Sequence, residues 1–111
     1  MAAGKTKGPT YPLVDVIRLA TAGPRWLSGT AEQSARSQLS MDRAAVFKEV
    51  ARLEPRDFYK TMPSETFAGL FQDVYHAFVK NLRHQRGVLV YCKVQISDGA
   101  LTVISFKLKD G

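Results

Sequence analysis

At 111 residues and 12.3 kDa the chain has the length of one domain built around one core, and its 45% hydrophobic and 23% charged residues are the balance of a globular protein, which excludes wholesale disorder and collagen-like or low-complexity structure. No apolar run approaches the ~18 residues of a membrane span, and the opening MAAGKTKGPTYP lacks the apolar middle of a signal peptide, so a cytoplasmic protein is expected. The 16 Lys and Arg against 10 Asp and Glu leave a net charge of +6 at pH 7, which favours a polyanionic partner such as RNA or DNA. Lys80, Arg83, Arg86, Lys93, Lys107 and Lys109 face only Asp98 and Asp110 after His76, so the excess gathers in the C-terminal part. Cys92 is the single cysteine and excludes an internal disulfide, and with only His76 and His84 beside it no zinc-site spacing is present. No metal or cofactor is expected.

Residues 1–9 mix Gly, Lys and Thr without periodicity and are expected to form a mobile basic arm ahead of a single domain over 10–111. Thr10 is a candidate N-cap, with Pro12 and Asp15 in the first turn of a helix whose stripe is Leu13, Val16, Ile17 and Ala20. Gly23-Pro24 is expected to supply a left-handed stop. Trp26-Leu27 is either one strand or a buried turn. Thr30 to Leu39 is predicted as a second helix, and Ser40 as the cap of a third that carries Val46, Phe47, Val50 and Leu53 and ends at Pro55.

Beyond Pro55 the pattern changes. Asp57 to Met62 is aromatic and alternating, a strand closed by Pro63. Phe67 to Leu82 is ambiguous: Phe67, Leu70, Phe71, Val74, Phe78 and Leu82 make a helical stripe, while Val74, His76, Phe78 and Lys80 also alternate as on a strand. After a turn at Arg83 to Gly87, Val88 to Ile96 and Leu101 to Leu108 are the clearest strands. A two-residue Asp98-Gly99 loop would set Tyr91 across from Phe106 and mix polar and apolar faces. A three-residue Ser97-Asp98-Gly99 loop, with Gly99 left-handed in a bulge, pairs Ile96 with Ala100 and keeps the faces pure. Tyr91 and Lys107 then become diagonal neighbours on the polar face, ~7–8 Å apart or less at Cβ.

Four segments, Asp57-Phe58-Tyr59-Lys60-Thr61-Met62, Phe71-Gln72-Asp73-Val74-Tyr75, Val90-Tyr91-Cys92-Lys93-Val94 and Ile104-Ser105-Phe106-Lys107, resemble in order and spacing the MqsR family of bacterial toxins. These are small endoribonucleases of type II toxin–antitoxin modules, distant relatives of the RelE fold. The similarity is strong over the C-terminal half and faint over the helices. It implies an α+β domain, RelE-like, with a curved, mainly antiparallel sheet and N-terminal helices packed on one side. It further implies metal-free cleavage of mRNA and a cognate, neutralising antitoxin that binds DNA. Carried over residue by residue, the family's functional positions fall on Lys60, Gln72, Tyr91 and Lys107, with Met62, His76, Lys93 and Arg83 as substrate-binding candidates beside them. Phe71 stands where the family has Trp, and Phe67-Ala68 where it has Asp-His, which leaves base preference open. The resemblance favours a strand at Val74 to Val79, with a helix from Phe67 to about Phe71 allowed.

Cleavage without a metal needs a base for the ribose 2′-hydroxyl, positive charge for the phosphorane, and a proton for the leaving 5′-oxygen. Neither histidine belongs to the matched quartet, so Tyr91 and one lysine are assigned to proton transfer, the other lysine to phosphate, and Gln72 to orienting phosphate or ribose. An ordinary Lys near ~10.4 or Tyr near ~10 is a poor base at neutral pH, and Lys60 and Lys107, on neighbouring strands, would have to depress each other. Each residue alone has an ordinary structural explanation, a solvated lysine or a packing tyrosine; their joint occurrence carries the catalytic reading. The rivals are a non-catalytic RNA- or DNA-binding module stacking bases on Tyr91 and Phe71, and a basic protein-interaction domain.

Overall fold

The computed structural model describes residues 8–110; of the N-terminal arm expected over 1–9, residues 1–7 lie outside the described residues. Three helices, α1 (Leu13–Ala22), α2 (Gly29–Leu39) and α3 (Arg43–Val50), accompany five strands, β1 (Arg25–Leu27), β2 (Phe58–Pro63), β3 (Phe71–Val79), β4 (Val88–Ser97) and β5 (Ala100–Leu108). The sheet runs β1-β5-β4-β3-β2, antiparallel throughout except for β1, which pairs parallel with β5. It is open, with the helices on one face, the α+β arrangement of RelE-like kind that the resemblance implies. The core lies between helices and sheet: Val16, Leu19, Ala35, Leu39, Val46 and Val50 from the helices meet Tyr75, Ala77, Val90, Cys92, Val94, Leu101, Val103 and Phe106 from the strands.

The helices sit where their stripes predict, but their caps differ. Thr10 does not cap α1; Pro12 precedes it, and the backbone N–H groups of Thr10 and Tyr11 instead donate to the two carboxylate oxygens of Asp73, each at 2.9 Å. This strap satisfies a fully buried carboxylate on β3. Gly23 ends α1 in an extended conformation (φ −100, ψ −176), not a left-handed one, because the residue before a proline is driven to extended backbone. Its need for glycine is space: a Cβ there would clash with the buried Leu19 side chain. Asp42, not Ser40, caps α3, its Oδ1 accepting from Ala45 N at 2.9 Å, and Ser40 is the left-handed residue (φ 55) that terminates α2. Trp26 lies in a strand and is exposed.

The ambiguous segment is a strand from Phe71 to Val79, as the resemblance favours for Val74 to Val79; residues 67–70 hold no helix, and 80–82 lie past the strand's end. Both readings fitted the sequence because β3 is an interior strand in which Gln72, Asp73, Val74 and Tyr75 are all buried, so polar and apolar residues do not alternate cleanly along it. The β4–β5 connection is also different from expectation. Asp98 (φ 54) and Gly99 (φ 76) form a two-residue turn of primed type, with Ser97 opposite Ala100 and Ile96 opposite Leu101. The extra residue is inserted further along: Lys93 pairs with Ser105 and Val94 with Val103, so Ile104 is a bulge. The bulge carbonyl is not orphaned, since the Ser28 hydroxyl donates to it at 2.9 Å while accepting from Ala31 N as the cap of α2. Tyr91 therefore faces Lys107 directly rather than diagonally.

Candidate active site on the open face of the sheet

Strand alternation alone would have put both lysines of the quartet on the wrong side. Counting from the turn without a bulge, Lys107 would share the core face with Val94 and Val103; Ile104 shifts the count by one and turns Phe106 inward and Lys107 outward. On β2 the pairing jumps from Phe58 opposite Tyr75 to Lys60 opposite Val74, leaving Tyr59 as a second bulge. Phe58 packs on the core, and Tyr59 and Lys60, consecutive residues, both face out. Two inserted residues on strands at opposite sides of the β3–β4 pair thus bring both lysines to the face the helices leave uncovered.

On that face the registers define rows. One is His76, Tyr91 and Lys107 across β3, β4 and β5; the next is Lys60, Val74, Lys93 and Ser105; the third holds Met62 and Gln72. From Lys60 and the bulged Tyr59 through the first row the side chains form a continuous ladder. Lys60 Nζ lies 5.5 Å from the centre of the Tyr59 ring, Tyr59 stacks on His76 at 4.3 Å with 24° between planes, His76 and Tyr91 are 6.3 Å apart, and Lys107 Nζ is 5.4 Å from the Tyr91 centre. A cation stands at each end and an imidazole in the middle, and both ammonium groups lie over ring faces, where the ring quadrupole attracts them.

Lys60 and Lys107 are not on neighbouring strands. They belong to β2 and β5 with β3 and β4 between, about 14 Å at the ordinary ~4.8 Å strand spacing, so the close cationic pair expected to make one lysine a base does not form. Gln72 shares the face but stands two rows from His76, about 13 Å along the strand at ~3.3 Å per residue. It is 7% exposed, and its amide donates to Gln95 Oε1 at 3.2 Å. Met62 is its half-buried neighbour across β2, and Lys93 lies one row from Tyr91. Arg83 is held away from this face, donating to Ser37 O at 2.8 Å and Ser40 Oγ at 3.2 Å at the end of α2. Phe71 alternates to the other face from Gln72, so it and Tyr91 do not form one stacking surface. Tyr59 is the member the sequence reading missed; the signal available was the run Phe58-Tyr59-Lys60, which needs a bulge if its lysine is to face solvent.

Burial raises the Tyr91 hydroxyl above its ordinary value, with smaller contributions from Tyr59 and Glu65, so the phenol holds its proton at neutral pH. Burial first, and Lys109 second, lower His76 below its ordinary 6.5, opposed by Asp110, so the imidazole is neutral at pH 7. Cys92 faces the core, and burial pushes its thiol up to about 12, which makes it inert. Chemically the face offers a neutral imidazole, a phenol donor, two cations and flat rings. Among the described residues no three His, Cys, Asp or Glu side chains come together as a metal site would require, and no helix is long and apolar enough to cross a membrane.

Comparison with known proteins places this geometry in a family context. The family model described as "Motility quorum-sensing regulator, toxin of MqsA" matches residues 8–108, and so covers the helices as well as the strands. Among curated proteins none matches the chain.

Proposed function

The chain belongs to the MqsR toxin family, the toxins of a toxin–antitoxin module, and from that premise we propose that it arrests growth as an endoribonuclease that cuts mRNA by attack of the ribose 2′-hydroxyl on the adjacent phosphate. The observation that carries the reading is the convergence of Lys60, Tyr91 and Lys107 on one uncovered face through the Tyr59–His76 stack. Single-stranded RNA suits such a face: bases stack on aromatic rings at ~1–3 kcal/mol each, and ammonium groups at both ends meet the phosphates. Lys107, beside Tyr91, holds the negative charge that grows at the reacting phosphate, Lys60 at the other end of the ladder meets a neighbouring phosphate of the strand, and the Tyr91 hydroxyl, kept protonated, donates to the leaving 5′-oxygen. Gln72, tied to Gln95, acts as a positioning residue for the far end of the platform, with Met62 and Lys93 along the path of the strand. Its protein partner is an antitoxin of the MqsA kind, which the family description names. The protein works in the cytoplasm, where mRNA is.

The test is incubation of the purified chain with single-stranded RNA in EDTA. The expected products carry a 2′,3′-cyclic phosphate, or the 3′-phosphate formed from it, and a 5′-hydroxyl. Lys107→Ala and Tyr91→Phe should each slow cleavage by about 10²–10⁴-fold, the usual worth of a proton-transfer or charge-stabilising group. Strict dependence on Mg²⁺, or 5′-phosphate ends, would overturn the mechanism. RNA binding without turnover would assign the ladder to a non-catalytic binding module instead.

A further inference from the structure

The reaction needs a proton acceptor, and the residues assigned above do not supply one. Tyr91 holds its proton, and the lysine pair expected to share a depressed charge is split across four strands. His76 occupies the middle of the ladder. It stands opposite Tyr91 in the register and is stacked on Tyr59 at 4.3 Å, a contact that fixes the plane of its ring while leaving the ring edge uncommitted. The contrast with the other histidine is informative: His84 has a ring nitrogen 3.0 Å from Gln38 O and is tied into the structure, whereas among the described residues no hydrogen bond reaches the His76 ring. Its side chain is partly open to the uncovered face.

We propose that His76 is the general base of this site, taking the proton of the ribose 2′-hydroxyl, and that Tyr59 is the positioning residue that sets its ring. The inference rests on the ribonuclease reading and goes beyond the four positions that the family resemblance supplies. In the step, an imidazole nitrogen of His76 accepts the 2′-proton, the 2′-oxygen forms a bond to phosphorus, and the bond from phosphorus to the 5′-oxygen breaks. The leaving oxygen takes a proton from the Tyr91 hydroxyl. The imidazolium then returns its proton to solvent and Tyr91 regains one, so that RNA is cut into a cyclic phosphate and a 5′-hydroxyl with no net change in the protein. The His76 and Tyr91 rings lie side by side, 6.3 Å apart at their centres, which sets the proton acceptor and the proton donor against the same phosphodiester laid across this face.

The charged and titratable groups around His76 are Tyr59 and Lys60 from β2, Tyr91 from β4, and Lys107, Lys109 and Asp110 at the end of β5. Lys109 and Asp110 pair with each other at 3.3 Å and act on the imidazole in opposite senses. With the cations prevailing, a base of this kind is active when neutral, so cleavage should fall as pH drops through a value below ~6.5 and level off above it.

The deciding experiment measures kcat/KM for RNA cleavage between pH 4.5 and 8, together with RNA Kd, in the unsubstituted chain and in His76→Ala, His76→Asn and Tyr59→Leu. The expected result for His76→Ala is a loss of about 10²–10⁴-fold with Kd changed less than about threefold, disappearance of the acidic limb, and partial rescue by added imidazole. His76→Asn, which keeps a planar polar group, should fold normally and be as slow as His76→Ala, and Tyr59→Leu should move the acidic limb and lower kcat with a smaller effect on Kd. If the unsubstituted chain cleaves RNA and folded His76→Asn keeps its rate or its acidic limb, His76 is not the base and the ribonuclease reading stands. If the unsubstituted chain does not cleave RNA at all, the ribonuclease reading falls and this inference with it.

Discussion

The two faces of the sheet are made from the same strands, often from adjacent residues, and they are built to opposite rules. On the helix side Tyr75, Cys92 and Phe106 are buried in the apolar core; on the other side His76, Tyr91 and Lys107, each the next residue along or before, keep polar ends in reach of solvent. The core face is closed by volume, so any side chain of the right size and polarity serves. The open face is held by geometry: its ladder depends on two bulges and on rings at fixed separations. A substitution on the first face should therefore be read in stability, and one on the second in activity.

The pair Phe106 and Lys107 tests that division most sharply. Phe106→Ala should cost about 3–5 kcal/mol in urea unfolding, because it deletes a ring that is 1% exposed, while Lys107→Ala should change stability by less than about 0.5 kcal/mol. Equal losses from both would show that the lysine is part of the packing and would erase the contrast.

Gly87 closes the turn just before β4. Its φ of +89 is left-handed, and a Cβ there would clash with the exposed Phe78 ring. Gly87→Ala should cost about 1–3 kcal/mol, and Gly87→Ala combined with Phe78→Ala should recover the part due to the clash but not the part due to the backbone. A thermal melt of the single and double variants separates the two. On the helix side, Asp42→Ala removes the cap of α3 and should lower stability by about 0.5–2 kcal/mol, whereas Ser40→Ala, at the position the sequence pattern favours as the cap, should not reproduce a lost N-cap hydrogen bond.

The smallest effect is expected at Tyr75. Its ring is fully buried against Phe58, edge to face at 5.6 Å, but among the described residues its hydroxyl has no hydrogen-bond partner, and burial raises its ionisation far above the ordinary tyrosine value. Tyr75→Phe keeps the ring and removes an unpaired polar atom, so unfolding should show no loss, or a gain of up to ~1 kcal/mol. A loss larger than ~1 kcal/mol would mean that the hydroxyl finds a partner in solution.

How much of this was legible beforehand divides along the same line. The residue types of the site were readable from linear motifs, and so was the need for an odd residue in the β4–β5 hairpin, since a straight two-residue loop would have mixed polar and apolar faces. Its place was not. The turn residues Asp98-Gly99 suit a tight primed turn, and the insertion moved to Ile104, where the Ser28 hydroxyl from α2, 76 residues away, receives the bulge carbonyl. No local pattern contains that contact. The Asp73 carboxylate likewise drew the backbone of Thr10 and Tyr11 across more than half the chain and left Pro12 to begin the helix.

By itself, then, the sequence determined what is periodic and local: three amphipathic helices, the strands β2, β4 and β5, a basic excess beyond His76, and the residues Lys60, Gln72, Tyr91 and Lys107 in order. Helical stripes and hairpin turns are set by interactions within a few residues, so they are written in the order of the side chains. Tertiary structure alone decided that the strand favoured at Val74 to Val79 begins at Phe71, that Gln72 is held apart by Gln95, and that Tyr59 and His76 stack between the two lysines. Each of these depends on which distant strand lies alongside and in what register, and a single inserted residue reverses the face on which every later side chain appears.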